Sequence, residues 1–140
     1  MNNQKVLIGK KLLKVFLAEN KYSIRFDFDG GSIIAYTYGD CCSCTWIEDV
    51  ESPSHALGGI VQSVEDIDMP EKPYDKTEHD FLAFYGCKIT TDKGSFVIDY
   101  RNSSNGYYSG SLTWPNDYLY EEARQQNADV DDSTKWNEVD

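Results

Sequence analysis

Tyr22-Ser-Ile-Arg-Phe-Asp-Phe28 runs into Asp29-Gly30-Gly31 and leaves through Ser32-Ile-Ile-Ala-Tyr-Thr-Tyr38. Side chains alternate across a strand, so Tyr22, Ile24, Phe26 and Phe28 share one face while Ser23, Arg25 and Asp27 share the other. Alternation on both sides of a short Gly-containing turn predicts a β-hairpin. The design recurs in Tyr85-Gly-Cys-Lys-Ile-Thr-Thr91, Asp92-Lys93-Gly94 and Ser95-Phe-Val-Ile-Asp-Tyr-Arg101. The two hairpins align without a gap at an offset of 63 residues, setting Tyr22 on Tyr85, Arg25 on Lys88, Asp29 on Asp92 and Gly31 on Gly94.

Outward from the hairpins the correspondence continues. Leu7-Ile8-Gly9 leads to Leu12, Leu13 and Val15, and Ala56-Leu57-Gly58 leads to Ile60, Val61 and Val64. Each copy ends downstream in a Thr-Trp pair, Thr45-Trp46 and Thr113-Trp114. A chain of 140 residues with 14% aromatics fits one Tyr-rich, β-rich domain. The expected fold is mainly β (β-rich α+β): two tandem three-strand antiparallel units, about 7–46 and 56–114, within a domain spanning 1–115. They would form one sheet, a sandwich or a partly open barrel.

The copies differ in three places, the first being the Cys-rich bend Asp40-Cys41-Cys42-Ser43-Cys44 after the first hairpin. After Ser43 as N-cap, residues 44–51 read as a short helix with carboxylates near its start. Where the first unit joins its opening strands through Glu19-Asn20-Lys21, the second inserts residues 66–80, whose prolines and carboxylates predict a solvated loop. The third difference is Asn102-Ser-Ser-Asn-Gly-Tyr-Tyr-Ser-Gly-Ser111, a Tyr-rich turn feeding a further strand over 110–114. Residues 116–140 read as an acidic tail, helical over Tyr118–Gln126 and disordered beyond Asn127, with Trp136 and Val139 as apolar residues in an acidic string.

Charge is uneven. The net charge is −11, with +3 over residues 1–39, −9 over 40–80, +1 over 81–115 and −6 over 116–140. That balance argues against binding a nucleic-acid backbone, which needs cations to displace counterions. No apolar run reaches the ~18 residues of a membrane span, and the N-terminal apolar stretch is broken by Lys10, Lys11 and Lys14. The expectation is a reducing, cytoplasmic compartment in which the four cysteines are not assumed to pair.

No catalytic constellation is legible, and the reading is of a non-enzyme without cofactor. Cys41, Cys42 and Cys44 are too close together for one zinc ion to use comfortably, and Cys87, His55 and His79 would join only through tertiary structure. A cysteine nucleophile with His55 or His79 as base lacks a motif. The structural alternative, a bend after Gly39 with one cysteine inside and its neighbour exposed, is preferred. Glu48, Asp49 and Glu51 lack a calcium-loop pattern and read as a solvated face. Gly30-Gly31 and Gly58-Gly59 serve turns rather than phosphates.

Gly39-Asp40-Cys41-Cys42-Ser43 with Thr45-Trp46, Lys88-Ile-Thr-Thr-Asp-Lys-Gly94 and Tyr100-Arg-Asn-Ser-Ser-Asn-Gly-Tyr-Tyr-Ser-Gly110 together resemble a group of small uncharacterised domains encoded by bacteriophages and their bacterial hosts. The resemblance covers roughly residues 7–115. It implies an accessory gene product acting in the bacterial cytoplasm, and it brings no activity and no site residues.

The functional expectation is a non-enzymatic binding protein that inhibits or redirects a host or defence protein. Its partner would present a basic surface to Glu65, Asp66, Asp68, Glu71, Asp75, Glu78 and Asp80, with Tyr107, Tyr108 and Trp136 as apolar contacts. The alternative is a small-molecule or nucleotide pocket lined by Tyr36, Tyr38, Tyr100 and Arg101, with Tyr107 and Tyr108. A metal protein or enzyme built on the cysteines stands third. Open sheet edges would permit a homodimer.

Overall fold

The computed structural model describes residues 4–40, 42–106, 109–127 and 135–140. Among them are a 3₁₀ turn (Gln4–Leu7), the strands β1 (Leu12–Ala18), β2 (Ser23–Phe28), β3 (Gly31–Gly39), β4 (Cys44–Val50), β5 (Val61–Asp68), β6 (Phe81–Thr91), β7 (Ser95–Ser104) and β8 (Gly110–Thr113), the helix α1 (Tyr120–Gln126) and the strand β9 (Trp136–Glu138). Two antiparallel sheets result, ordered β8-β3-β2-β1-β9 and β4-β7-β6-β5. They enclose one core that draws Val15, Ile24, Phe26 and Ala35 from the first and Ile47, Ile89, Phe96 and Ile98 from the second. Of the three architectures open from sequence, this is the sandwich.

The doubled unit is reproduced down to its irregularities. Val15 pairs with Phe26 in one copy and Val64 with Ile89 in the other, and each opening strand carries a bulge, between Leu12 and Lys14 and between Val61 and Ser63. The entries to these strands hold each other: Gly9 N–H donates to Val61 O at 2.9 Å and Gly58 N–H donates to Leu12 O at 2.7 Å. Both glycines have positive φ, +87° and +83°, a conformation that side-chain-bearing residues rarely adopt.

Each unit then gives its next strand away. β4 leaves the first unit to pair with β7 of the second, and β8 returns to pair with β3 of the first. This exchange corrects the expected helix at 44–51. Thr45, Ile47 and Val50 are buried, and β-branched residues fit a pleated surface that completes the open edge of β7. Ser43 does not cap a helix: its hydroxyl donates to Asp40 O at 2.7 Å.

The Thr-Trp pairs are not equivalent either. Trp46 pairs with Arg101 on the outer face, whereas Trp114 follows β8 into the core and stacks on Phe26 at 5.5 Å. The solvated loop is shorter than expected, because β5 continues through Asp66, Ile67 and Asp68 to pair with β6. The tail also differs from the expectation. Beyond α1, Trp136–Glu138 adds to the edge of β1, pairing Ala18 with Trp136 and Phe16 with Glu138. Arg25 bridges the two strands on the outer face: its guanidinium lies 4.2 Å from the Phe16 ring centre and 5.3 Å from that of Trp136.

Candidate functional site

Where the first unit turns tightly from β1 to β2, Ile47 N–H donates to Lys21 O at 2.7 Å and closes the end of the sandwich. The second unit has residues 69–80 at the corresponding place, and there the sandwich opens into a pocket of about 460 Å³. β5 contributes Asp66 and Asp68, β6 Tyr85, β7 Tyr100 and β8 Leu112. Tyr85 and Tyr100 stack with ring centres 5.2 Å apart and planes at 21°. On the opposite face of β6, a Cβ on Gly86 would come within 2.7 Å of Met69 Sδ and 2.8 Å of Ile67 Cγ1, so these side chains would have to shift to admit one.

Desolvation sets the electrostatics. Asp66 is exposed on β5, and partial desolvation against the sheet pushes its carboxyl above its ordinary value. The Tyr100 hydroxyl is pushed well up by burial, with the Asp66 charge adding to it. Burial, again reinforced by Asp66, drives the neighbouring Cys87 thiol up to about 12. Two carboxylates beside a stacked tyrosine pair would favour a cationic group, an ammonium or a guanidinium, over a phosphate.

The residues expected from sequence divide among several places. Asp66 and Asp68 from the acidic set meet Tyr100 from the pocket set, a combination neither set anticipated. Glu65 is exposed on β5, and Glu71, Asp75, Glu78 and Asp80 are exposed along the loop. Asp75 closes a local turn, accepting from Thr77 N–H at 2.8 Å and Thr77 Oγ1 at 2.6 Å, bonds that hold its carboxyl below the usual range. Trp136 is half-buried against Arg25 of its own chain.

Tyr36, Tyr38, Tyr100 and Arg101 do not form one pocket. Adjacent strand residues point to opposite faces, so Arg101 lies on the outer face away from Tyr100. There it meets Glu48 at 3.4 Å and Asp99 at 3.3 Å and covers the Phe84 ring at 4.9 Å. Tyr36 and Tyr38 sit under α1, where Tyr36 packs on Tyr120 at 5.2 Å and the Tyr38 hydroxyl donates to Glu122 at 3.3 Å. Tyr107, Tyr108 and Cys41 lie outside the described residues.

The cysteines scatter as well. Cys44 is exposed at the start of β4, with Sγ 3.8 Å from the Tyr22 hydroxyl, while Cys87 is buried in β6. His79 stacks on Trp46 at 5.8 Å and its Nδ1 lies 2.7 Å from Ser103 Oγ. The His55 carbonyl oxygen lies where it would meet a Cβ on Gly94, at 2.8 Å. Among the described residues no three His, Cys, Asp or Glu side chains group as metal ligands, and no helix is long and apolar enough to cross a membrane.

The family described as a domain of unknown function, DUF7448, matches residues 5–114, a span that begins at the 3₁₀ turn and ends at Trp114. The chain belongs to the DUF7448 family. It is similar to uncharacterized protein L278 of Acanthamoeba polyphaga mimivirus, at 32% identity over 119 residues that cover 79% of this chain and 91% of the relative. No solved structure matches the chain. The DUF7448 span contains both units and both exchanged strands, and therefore the whole Asp66–Tyr100 pocket. Helix α1 and β9 fall beyond it.

Proposed function

We propose that this DUF7448 domain is a non-enzymatic binding protein, a viral accessory factor that engages a basic protein surface through β5 and the acidic loop after it. A place in the cytoplasm of an infected cell, where it inhibits or redirects a host or defence protein, completes the proposal. The observation that carries it is the second sheet's edge, where Glu65, Asp66 and Asp68 line a strand beside a pocket suited to cations. The exposed Glu71, Asp75, Glu78 and Asp80 extend the same negative field. Such a field raises the encounter rate with a basic partner and is screened by salt. The mimivirus relative supports the viral setting; the bacteriophage setting rests on the sequence resemblance alone.

A small-molecule reading draws on the pocket volume, but its carboxylates favour an amine over a nucleotide. The test is capture from host lysate by the immobilised protein and by a variant with Glu65, Asp66, Asp68, Glu71, Asp75, Glu78 and Asp80 replaced by their amides. Capture should fall with salt and be lost in the variant. Equal capture by both proteins removes the acidic-surface reading.

A further inference from the structure

We propose that the outer edge of β5 accepts an extended basic segment of a partner protein as an added antiparallel strand, in the place that β9 occupies on β1. This rests on the acidic-surface reading and names how the partner is held.

The two units superimpose in hydrogen-bond pattern, so each position on β1 has a counterpart on β5 49 residues later: Val15 and Val64, Leu17 and Asp66, Glu19 and Asp68. On β1 these positions present their backbone groups outward. Val139 N–H donates to Val15 O at 2.8 Å and Glu19 N–H donates to Lys135 O at 3.0 Å. The corresponding groups of Val64, Asp66 and Asp68 have no strand beside them among the described residues, because β5 ends its sheet. An unpaired edge of this kind is a template for strand addition.

Charge selects the occupant. The β1 edge is basic and takes an acidic strand, with Lys14 Nζ 3.9 Å from Glu138. Along β5 the sign reverses: Glu65 stands where β1 has Phe16, and Asp66 where it has Leu17. The chain's own terminus, with Glu138 and Asp140, is therefore repelled from β5, and so is β5 of a second copy. The register of β9 also dictates a pattern. Trp136 faces Ala18, Asn137 faces Leu17 and Glu138 faces Phe16. On β5, counterparts of Asn137 and Glu138 would face Asp66 and Glu65 and should be basic. The counterpart of Val139 would face Val64 and should be apolar. The residue opposite Asp66 shares its face, so a guanidinium there reaches the Asp66–Tyr100 pocket.

The probe is a labelled peptide, acetyl-Lys-Trp-Arg-Lys-Val-Lys-amide, compared with acetyl-Lys-Trp-Asn-Glu-Val-Asp-amide, the chain's own terminal sequence. Anisotropy should show the basic peptide binding at least tenfold tighter. Methylating its Arg backbone nitrogen, which removes the donor to Asp66 O, should cost tenfold. Asp66→Asn with Asp68→Asn should weaken binding, and amide exchange at Asp66 and Asp68 should slow when the peptide binds. Equal binding of the methylated peptide, with no slowing at these amides, overturns strand addition while leaving the acidic surface standing. No binding of the basic peptide overturns it too. Protection of the same amides that grows with protein concentration alone assigns the edge to a second copy. Unchanged lysate capture by the amide variant is the separate result that removes the underlying reading.

Discussion

Lys11 and Ile60 are counterparts in the two units, and they form an antiparallel bridge with each other. A residue that pairs with its own counterpart marks an approximate twofold axis, which here passes between the entries to β1 and β5. Around it the bonds come in matched pairs: Leu12 N–H donates to Gly59 O and Val61 N–H to Lys10 O, at 3.0 Å and 2.9 Å. Asp29 N–H donates to Lys11 O and Asp92 N–H to Ile60 O, each at 3.1 Å.

Gly9 and Gly58 flank this axis with the same positive φ, so Gly9→Ala and Gly58→Ala should each destabilise by about 1–2 kcal/mol. Around Gly9 a Cβ meets nothing within 4 Å, so backbone strain alone sets its cost. Urea unfolding of the single variants and the pair is the measurement. The double variant should depart from additivity, because the two glycines serve one hydrogen-bonded crossing.

Trp114→Ala should cost about 3–5 kcal/mol, the range for emptying a buried aromatic site. Trp114 is fully buried on Phe26, whereas Trp46 is half-exposed and gives its Nε1–H to Glu48 at 2.9 Å. Trp46→Ala should therefore cost clearly less. Equal losses in thermal unfolding would contradict the placement of the two tryptophans on different faces.

Asp66 makes opposite contributions to stability and to cation binding. Partial desolvation raises its folded pKa, so the neutral carboxyl is the form the fold favours. That contribution is present below the unfolded value of ~4 and is lost as pH rises through the folded one. At pH 7 the charged Asp66 is a small liability, and Asp66→Asn should stabilise by a fraction of ~1 kcal/mol, since solvent screens this edge. Binding of a cationic peptide should run the other way, weakening as pH falls and Asp66 takes up its proton. Melting curves and peptide titrations carried from the unfolded carboxyl value of ~4 upward to neutrality measure the two effects.

The thiols should separate by reactivity. Cys87, raised from 9.0 to about 12, carries roughly a thousandfold less thiolate near neutral pH than an unperturbed thiol. Iodoacetamide at pH 8 should modify exposed Cys44 in the folded protein and spare Cys87 until denaturant is added. Peptide mapping distinguishes the sites.

Arg25→Ala should loosen β9, because the guanidinium bridges Phe16 and Trp136. A stability loss of about 1 kcal/mol fits a partly exposed cation–ring contact. Amide exchange at Glu19, which donates to Lys135 O, should quicken well beyond that at Ile24 in the middle of the sheet.

Much of the fold was legible because its signals are local. Alternation in 22–28 and 85–91, the Gly-containing turns at 29–31 and 92–94 and the glycines before each opening strand identified both units without reference to a partner. The helix expected at 44–51 failed because Ser43 and the following carboxylates satisfy helix-start rules, while the edge of β7 that claims this segment lies some fifty residues away in sequence. The candidate site was half legible. The acidic set contained Asp66 and Asp68, but Tyr85 was missed, and only its match to Tyr22 in the repeat hinted that it faced inward.

The sequence by itself determined that this chain is two copies of one β unit, because turn chemistry and period-two alternation are read from neighbouring residues. Tertiary structure alone decided that the units exchange their next strands and that β9 covers the edge of β1 while β5 has no strand beside its outer edge among the described residues. Those outcomes depend on which backbone edges meet across the sandwich. Every strand offers the same backbone donors and acceptors, so its own residues do not specify its neighbour.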